Sequence, residues 1–79
     1  MSDETARIAV LRAMLNLPQN SFYVYQIVNE TGLARQSVTR ILNWLVTDGF
    51  AEYEQSGDGR EGSKLYRLTH AGKIAFSHL

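Results

Sequence analysis

The chain is 79 residues long and 44% hydrophobic, with eight basic and eight acidic residues that give a formal net charge of zero. That length allows one domain with a modest core, to which a dimer contact would add stability. The absence of cysteine removes disulfides, thiolate nucleophiles and cysteine-held metal sites, and zero net charge counts against a strong non-specific polyanion binder, which carries a basic excess.

Residues 1–10 carry acids rather than the basic stretch of a secretory signal, and no apolar run approaches the ~20 residues that span a membrane. A cytoplasmic protein is the expectation. Residues 4–16 predict a first helix, with Ile8, Leu11 and Leu15 in one apolar stripe and Val10, Met14 and Leu17 in a neighbouring one. Ser2 or Asp3 is suited to cap it, Asp3 and Glu4 match its positive end, and Pro18 stops it by pushing Leu17 out of the α region. A turn follows, and residues 21–23 predict a brief strand.

A second helix is expected over about 24–31 and a third over about 35–48. The first of these buries Ile27 and Val28, and Gly32 supplies the positive φ of a tight helix-ending turn. Leu33 closes the corner. The next helix buries Val38, Ile41, Leu42 and Leu45 at three- and four-residue spacing, and Asp48-Gly49 ends it. Its other side carries Arg35, Gln36, Ser37, Thr39, Arg40 and Asn43, with neither an acid nor a large apolar residue among them. These side chains are the types that bond to base edges and phosphates, and a helix of this size fits the DNA major groove.

Residues 50–55 and 63–68 alternate apolar and polar residues at period two, with Leu65 and Leu68 expected inward. The Ser-Gly-Asp-Gly-Arg-Glu-Gly connector between them makes a β-hairpin with a loose tip. Thr69 is placed to cap a last helix over 70–79, offering Ile74, Ala75 and Phe76 for packing.

The order of elements resembles the winged helix-turn-helix family of DNA-binding domains over nearly the whole chain. The stretch Leu45-Val46-Thr47-Asp48-Gly49-Phe50 is similar to the family's link into the wing. Tyr66-Arg67-Leu68-Thr69-His70-Ala71-Gly72 is similar to its entrance into the last helix. Both are typical of small regulators of the MarR and PadR type. The resemblance implies an α+β, mainly α fold: one domain over 1–79, a three-helix core with the helix-turn-helix at 24–48, a two- to three-stranded antiparallel wing with its hairpin at 50–68, and a C-terminal helix. One departure is Ala34, where the family often has Ser or Thr. The loss of that side-chain cap costs about 1 kcal/mol and a phosphate contact.

The resemblance makes Gln36, Ser37 and Arg40 the best base-edge residues. Arg35 and Thr39 are assigned to phosphate, and Asn43 completes the face. In the wing it points to Arg60 and Lys64, although Asp58 and Glu61 nearly cancel the charge at the tip and a solvated loop is the rival reading. Arg67 is expected to pair across the hairpin with Glu52 or Glu54. The remaining acids, Asp3 included, are expected to face away from the recognition surface. Phe22, Tyr23, Tyr25 and Trp44 are read as core. A small-molecule effector, which many such regulators have, is the alternative for them. His70 and His78 lack partners for a metal site, and no catalytic set of residues is present, so neither an enzyme nor a bound cofactor is expected.

The function expected is sequence-specific binding to double-stranded DNA by a transcription regulator, with repression favoured because the chain leaves little room for an effector domain. A homodimer through the first and last helices, using Val10, Met14, Leu17, Ile74, Phe76 and Leu79, would set two recognition helices ~34 Å apart. Two alternatives stand beside it. One is a winged-helix module for protein–protein interaction, which suits zero net charge. The other is a plasmid or viral replication or segregation protein. A basic face joining Arg35, Arg40, Lys64 and Lys73 would favour DNA, and an exposed apolar patch a protein partner.

Overall fold

A computed structural model of the chain describes residues 2–55 and 64–79. The elements are α1 (Asp3–Asn16), α2 (Val24–Thr31), α3 (Arg35–Thr47), β1 (Ala51–Gln55), β2 (Lys64–Leu68) and α4 (His70–Ala75). The fold is α+β and mainly helical, a winged helix-turn-helix as the sequence predicts.

α1 starts where the Ser2 hydroxyl accepts the Thr5 N–H at 3.1 Å. It stops at Leu17, whose backbone is extended (φ −70°, ψ 146°), as the following proline requires. α1, α2 and α3 then pack on one another. Val10, Ile27, Val38, Leu42 and Leu45 are fully buried between them, and Phe22 and Tyr66 close the core from the sheet side.

β1 and β2 are antiparallel, with Tyr53 opposite Tyr66 and Glu52 opposite Arg67. The strand expected at 21–23 contracts to a single bridge. Phe22 and Tyr66 exchange backbone hydrogen bonds of 2.7 and 2.8 Å, which places β2 between Phe22 and β1. The buried Tyr66 phenol is pushed above its ordinary pKa, first by desolvation and then by Tyr53 beside it.

Leu65 and Leu68 do not share the inward face. Side chains alternate along a strand, so an odd spacing puts them on opposite faces. Tyr66 and Leu68 are buried, and Leu65 is half-buried. The last helix is also shorter than its apolar pattern suggests. It ends at Ala75, where the Ser77 N–H and hydroxyl both turn back to the Ile74 carbonyl, at 3.4 and 3.0 Å. That tighter bonding replaces the i→i−4 ladder. Phe76 packs edge-on against Phe50, with ring centroids 5.1 Å apart, while Ile74 and Ala75 face outward.

Thr69 ties α4 to the link between α3 and the wing. Its hydroxyl accepts from the Gly72 N–H at 3.1 Å and donates to the Gly49 carbonyl at 2.8 Å. Its own N–H donates to the Phe50 carbonyl at 3.0 Å. Gly72 is buried directly against that same carbonyl, with no room for a Cβ. The Thr-x-x-Gly spacing is therefore a cap plus a close approach, and it fixes where the wing leaves the helical core.

Candidate nucleic-acid interface

The turn between α2 and α3 is built from local bonds. Gly32 takes the left-handed conformation (φ 73°), and its N–H reaches the Val28 carbonyl at 2.8 Å. The Thr31 hydroxyl donates to the Ile27 carbonyl at 2.8 Å and accepts from the Leu33 N–H at 3.2 Å. A side chain at position 32 would strain this corner, because L-residues avoid φ > 0. At the other end of α2, the Gln26 side chain accepts from the Tyr23 N–H at 2.8 Å and fixes the start of the motif. α3 begins at Ala34 with no side-chain cap, as the sequence implies.

Burial of Val38, Ile41, Leu42 and Leu45 decides which side of α3 faces out. Arg35, Gln36, Thr39, Arg40 and Asn43 line one shallow depression on that outer side. All are exposed except Thr39, which is half-buried. Ser37 is half-buried too and lies outside the depression, roughly 100° around the helix from Gln36. Between them the five lining residues offer guanidinium donors, amide groups that both donate and accept, and one hydroxyl. That is the equipment for reading base edges and holding phosphates.

The charge on this face differs from the expectation. Asp3 faces it instead of pointing away, and its carboxylate accepts from Arg40 Nη2 at 3.1 Å. The cause is the packing of α1 on α3, which brings the α1 N-terminus over the middle of α3. Trp44 belongs to the same region. It is half-buried, its ring lies under the Arg7 guanidinium at 4.7 Å, and it meets Phe50 at 6.4 Å. Asp3, Arg7, Arg40, Ile41 and Trp44 together line a second depression between the two helices. Sequence reasoning missed Asp3 and Arg7 because their partners lie 37 residues away in both cases. Arg35 has no acid partner among the described residues.

In the wing, Lys64 is half-buried, with its ammonium 4.8 Å from the centre of the Tyr53 ring. Arg60, Asp58 and Glu61 lie outside the described residues. Arg67 does pair across the hairpin, bonding both Glu52 and Glu54 at 3.0 Å, and these bonds raise its pKa. Lys73 does not join the α3 face, since it lies beside Leu15, Leu17 and Gln19. The four-cation face that would favour DNA therefore does not form as a unit. Of the four aromatics read as core, Phe22 is buried, whereas Tyr25 is 54% exposed and stacks on Tyr23 with centroids 5.9 Å apart. Among the described residues there is no cluster of three His, Asp or Glu that could hold a metal, and no helix is long and apolar enough to cross a membrane.

No protein-family model matches this chain, and no curated protein sequence matches it. Solved structures do match its fold. The C80S mutant of MarR from E. coli superposes with a TM-score of 0.77 at 22% identity, over 92% of this chain and 52% of that one. BpsR from Bordetella bronchiseptica, whose DNA binding is regulated by 6-hydroxynicotinic acid, gives 0.80 at 17% identity, over 99% of this chain and 59% of that one. A Ralstonia eutropha JMP134 protein, whose description as DNA-binding is itself a proposal, gives 0.71 at 22% identity, over 94% and 93%. The chain thus spans about half the length of the first two. It shares the winged-helix fold of MarR-type regulators.

Proposed function

We propose that the protein is a transcription regulator that binds double-stranded DNA, with α3 in the major groove and the wing along the backbone or minor groove. The observation that carries this reading is the outer face of α3. Five polar side chains converge there on one depression, held by a buried opposite face, on a fold shared with MarR-type regulators. Gln36 and Arg40 are assigned to base edges, and Ser37, outside the depression, to a base edge or the adjoining backbone. Arg35 and Thr39 are assigned to phosphate, and Asn43 to either. Arg60 and Lys64 are assigned to the wing contact. Occupancy of a promoter would make it a repressor.

The same proposal includes a homodimer through α1 and α4, though with a smaller surface than the sequence suggested. Val10 and Met14 are buried in the chain's own core and are unavailable to a second copy. Ile74 is 62% exposed, and Leu17, Phe76 and Leu79 are half-buried, so these four would supply the contact.

Arg40→Ala tests the reading of α3. On a duplex selected from a random pool, binding should weaken by about 1–3 kcal/mol, with preference relaxed at one base position. Unchanged affinity and preference would remove Arg40 from the interface.

A further inference from the structure

The Asp3–Arg40 ion pair is not needed for the fold. Both side chains remain largely exposed, at 75% and 67%, and pairs of this kind contribute little to stability. Yet it ties the first turn of α1 to the middle of the α3 face, and it places a negative charge where the proposed function calls for a positive one.

We propose that Asp3 is a specificity-determining residue of the α3 face, suppressing attachment of Arg40 to DNA phosphates of any sequence while leaving it able to read a base. The inference rests on the DNA-binding reading above. Its physics is a difference in range. Attraction to phosphate is electrostatic and sequence-independent, and it scales with the net charge presented. A carboxylate 3.1 Å from the guanidinium cancels that charge at longer distance. Hydrogen bonding to a base edge is short-ranged and directional. Arginine has five N–H donors, and the single recorded bond to Asp3 engages Nη2 alone. Donors therefore remain for a base edge after the charge has been masked. Within the α3 face, Arg35 is left as the cation for phosphate.

Glu4 provides the internal comparison. It carries the same charge in the same first turn of α1 and has no ion pair among the described residues. If Asp3 acts through Arg40, its effect should exceed that of Glu4 and should fall to the level of Glu4 when Arg40 is absent.

The test is anisotropy of a labelled random-sequence duplex across a salt series, with wild type, Asp3→Asn, Glu4→Gln, Arg40→Ala and the double variant Asp3→Asn/Arg40→Ala. Thermal melts check that all are folded; Ser2, which caps α1, is untouched. Asp3→Asn should bind the random duplex about five- to tenfold more tightly near 0.1 M salt, with a log–log salt slope steeper by about 0.9, the value of one further phosphate. Glu4→Gln should give clearly less, and Asp3→Asn should give clearly less in the Arg40→Ala background, where only the general loss of one negative charge remains. Measurable binding that is equal in wild type and Asp3→Asn would overturn the inference alone, as would the same gain from Glu4→Gln or without Arg40. No binding by any of the proteins would overturn the DNA-binding reading and this inference with it.

Discussion

Leu45→Ala should cost about 2–5 kcal/mol of folding stability, the range for a buried leucine truncated to a cavity. Leu45 has no exposed surface, and it sits at the meeting of α3 with the rest of the core. A core in a chain of this size rarely supplies more than about 3–5 kcal/mol. The variant should therefore be largely unfolded at room temperature and should lose every function of the α3 face indirectly. Urea titration followed by circular dichroism measures this. A change below about 0.5 kcal/mol would mean that α3 is rotated about its axis relative to the packing described, and the assignment of its outer face would fall with it.

Gly72→Ala is the second large effect, and its sign is the informative part. In an exposed helix interior this substitution stabilises by about 1 kcal/mol, because alanine is the better helix former. Here the new methyl would run into the Phe50 carbonyl, with the Phe50 carbonyl carbon and Cα also 3.0 and 3.2 Å away. These are backbone atoms and cannot rotate aside. The Phe50 carbonyl is held by the Thr69 N–H, and the Thr69 hydroxyl is held by Gly72 and Gly49. Making room means prising α4 from the start of the wing, so a net loss of about 1–3 kcal/mol is expected. Tm should fall by about 4–8 °C for each kcal/mol. A rise in Tm would show that α4 is not seated on Phe50 as described.

These two residues illustrate what the sequence makes legible. Gly32 and Thr69 announce themselves because the constraints they satisfy are local, a positive φ at a helix end and a capping hydroxyl at a helix start, whereas the need for glycine at Gly72 comes from the distant Phe50 carbonyl. The phase of α3 is equally readable, since four apolar residues at helical spacing leave only one side to face water. The sequence does not settle which of Leu65 and Leu68 faces inward, because their odd spacing puts them on opposite faces of the strand, and the bridge from Phe22 to Tyr66 decides between them. The apolar pattern overextends α4, because periodicity does not register Ser77 turning back onto Ile74.

The candidate site was legible on α3 and illegible at its edge. No periodicity relates Asp3 to Arg40 or Arg7 to Trp44. Those pairs exist because Val10, Leu11 and Met14 seat α1 in the core, and that packing carries the α1 N-terminus over α3. Charge on this face is a tertiary property, and a count of acids and bases along the chain could not supply it. The exposed Tyr25 is a related case. An aromatic residue beside a buried one reads as core in sequence, whereas the start of α2 turns it outward onto Tyr23.

The outer face of α3 is expected to engage duplex DNA. The most direct test is to titrate the wild-type protein into a pool of labelled duplex fragments at two salt concentrations, following anisotropy. The expected result is saturable binding at low salt that weakens as salt rises, with a shallow log–log slope of about −0.9 for each of the few phosphates neutralised. Absence of binding at low salt would contradict it and would turn the face of α3 into a surface for a protein partner.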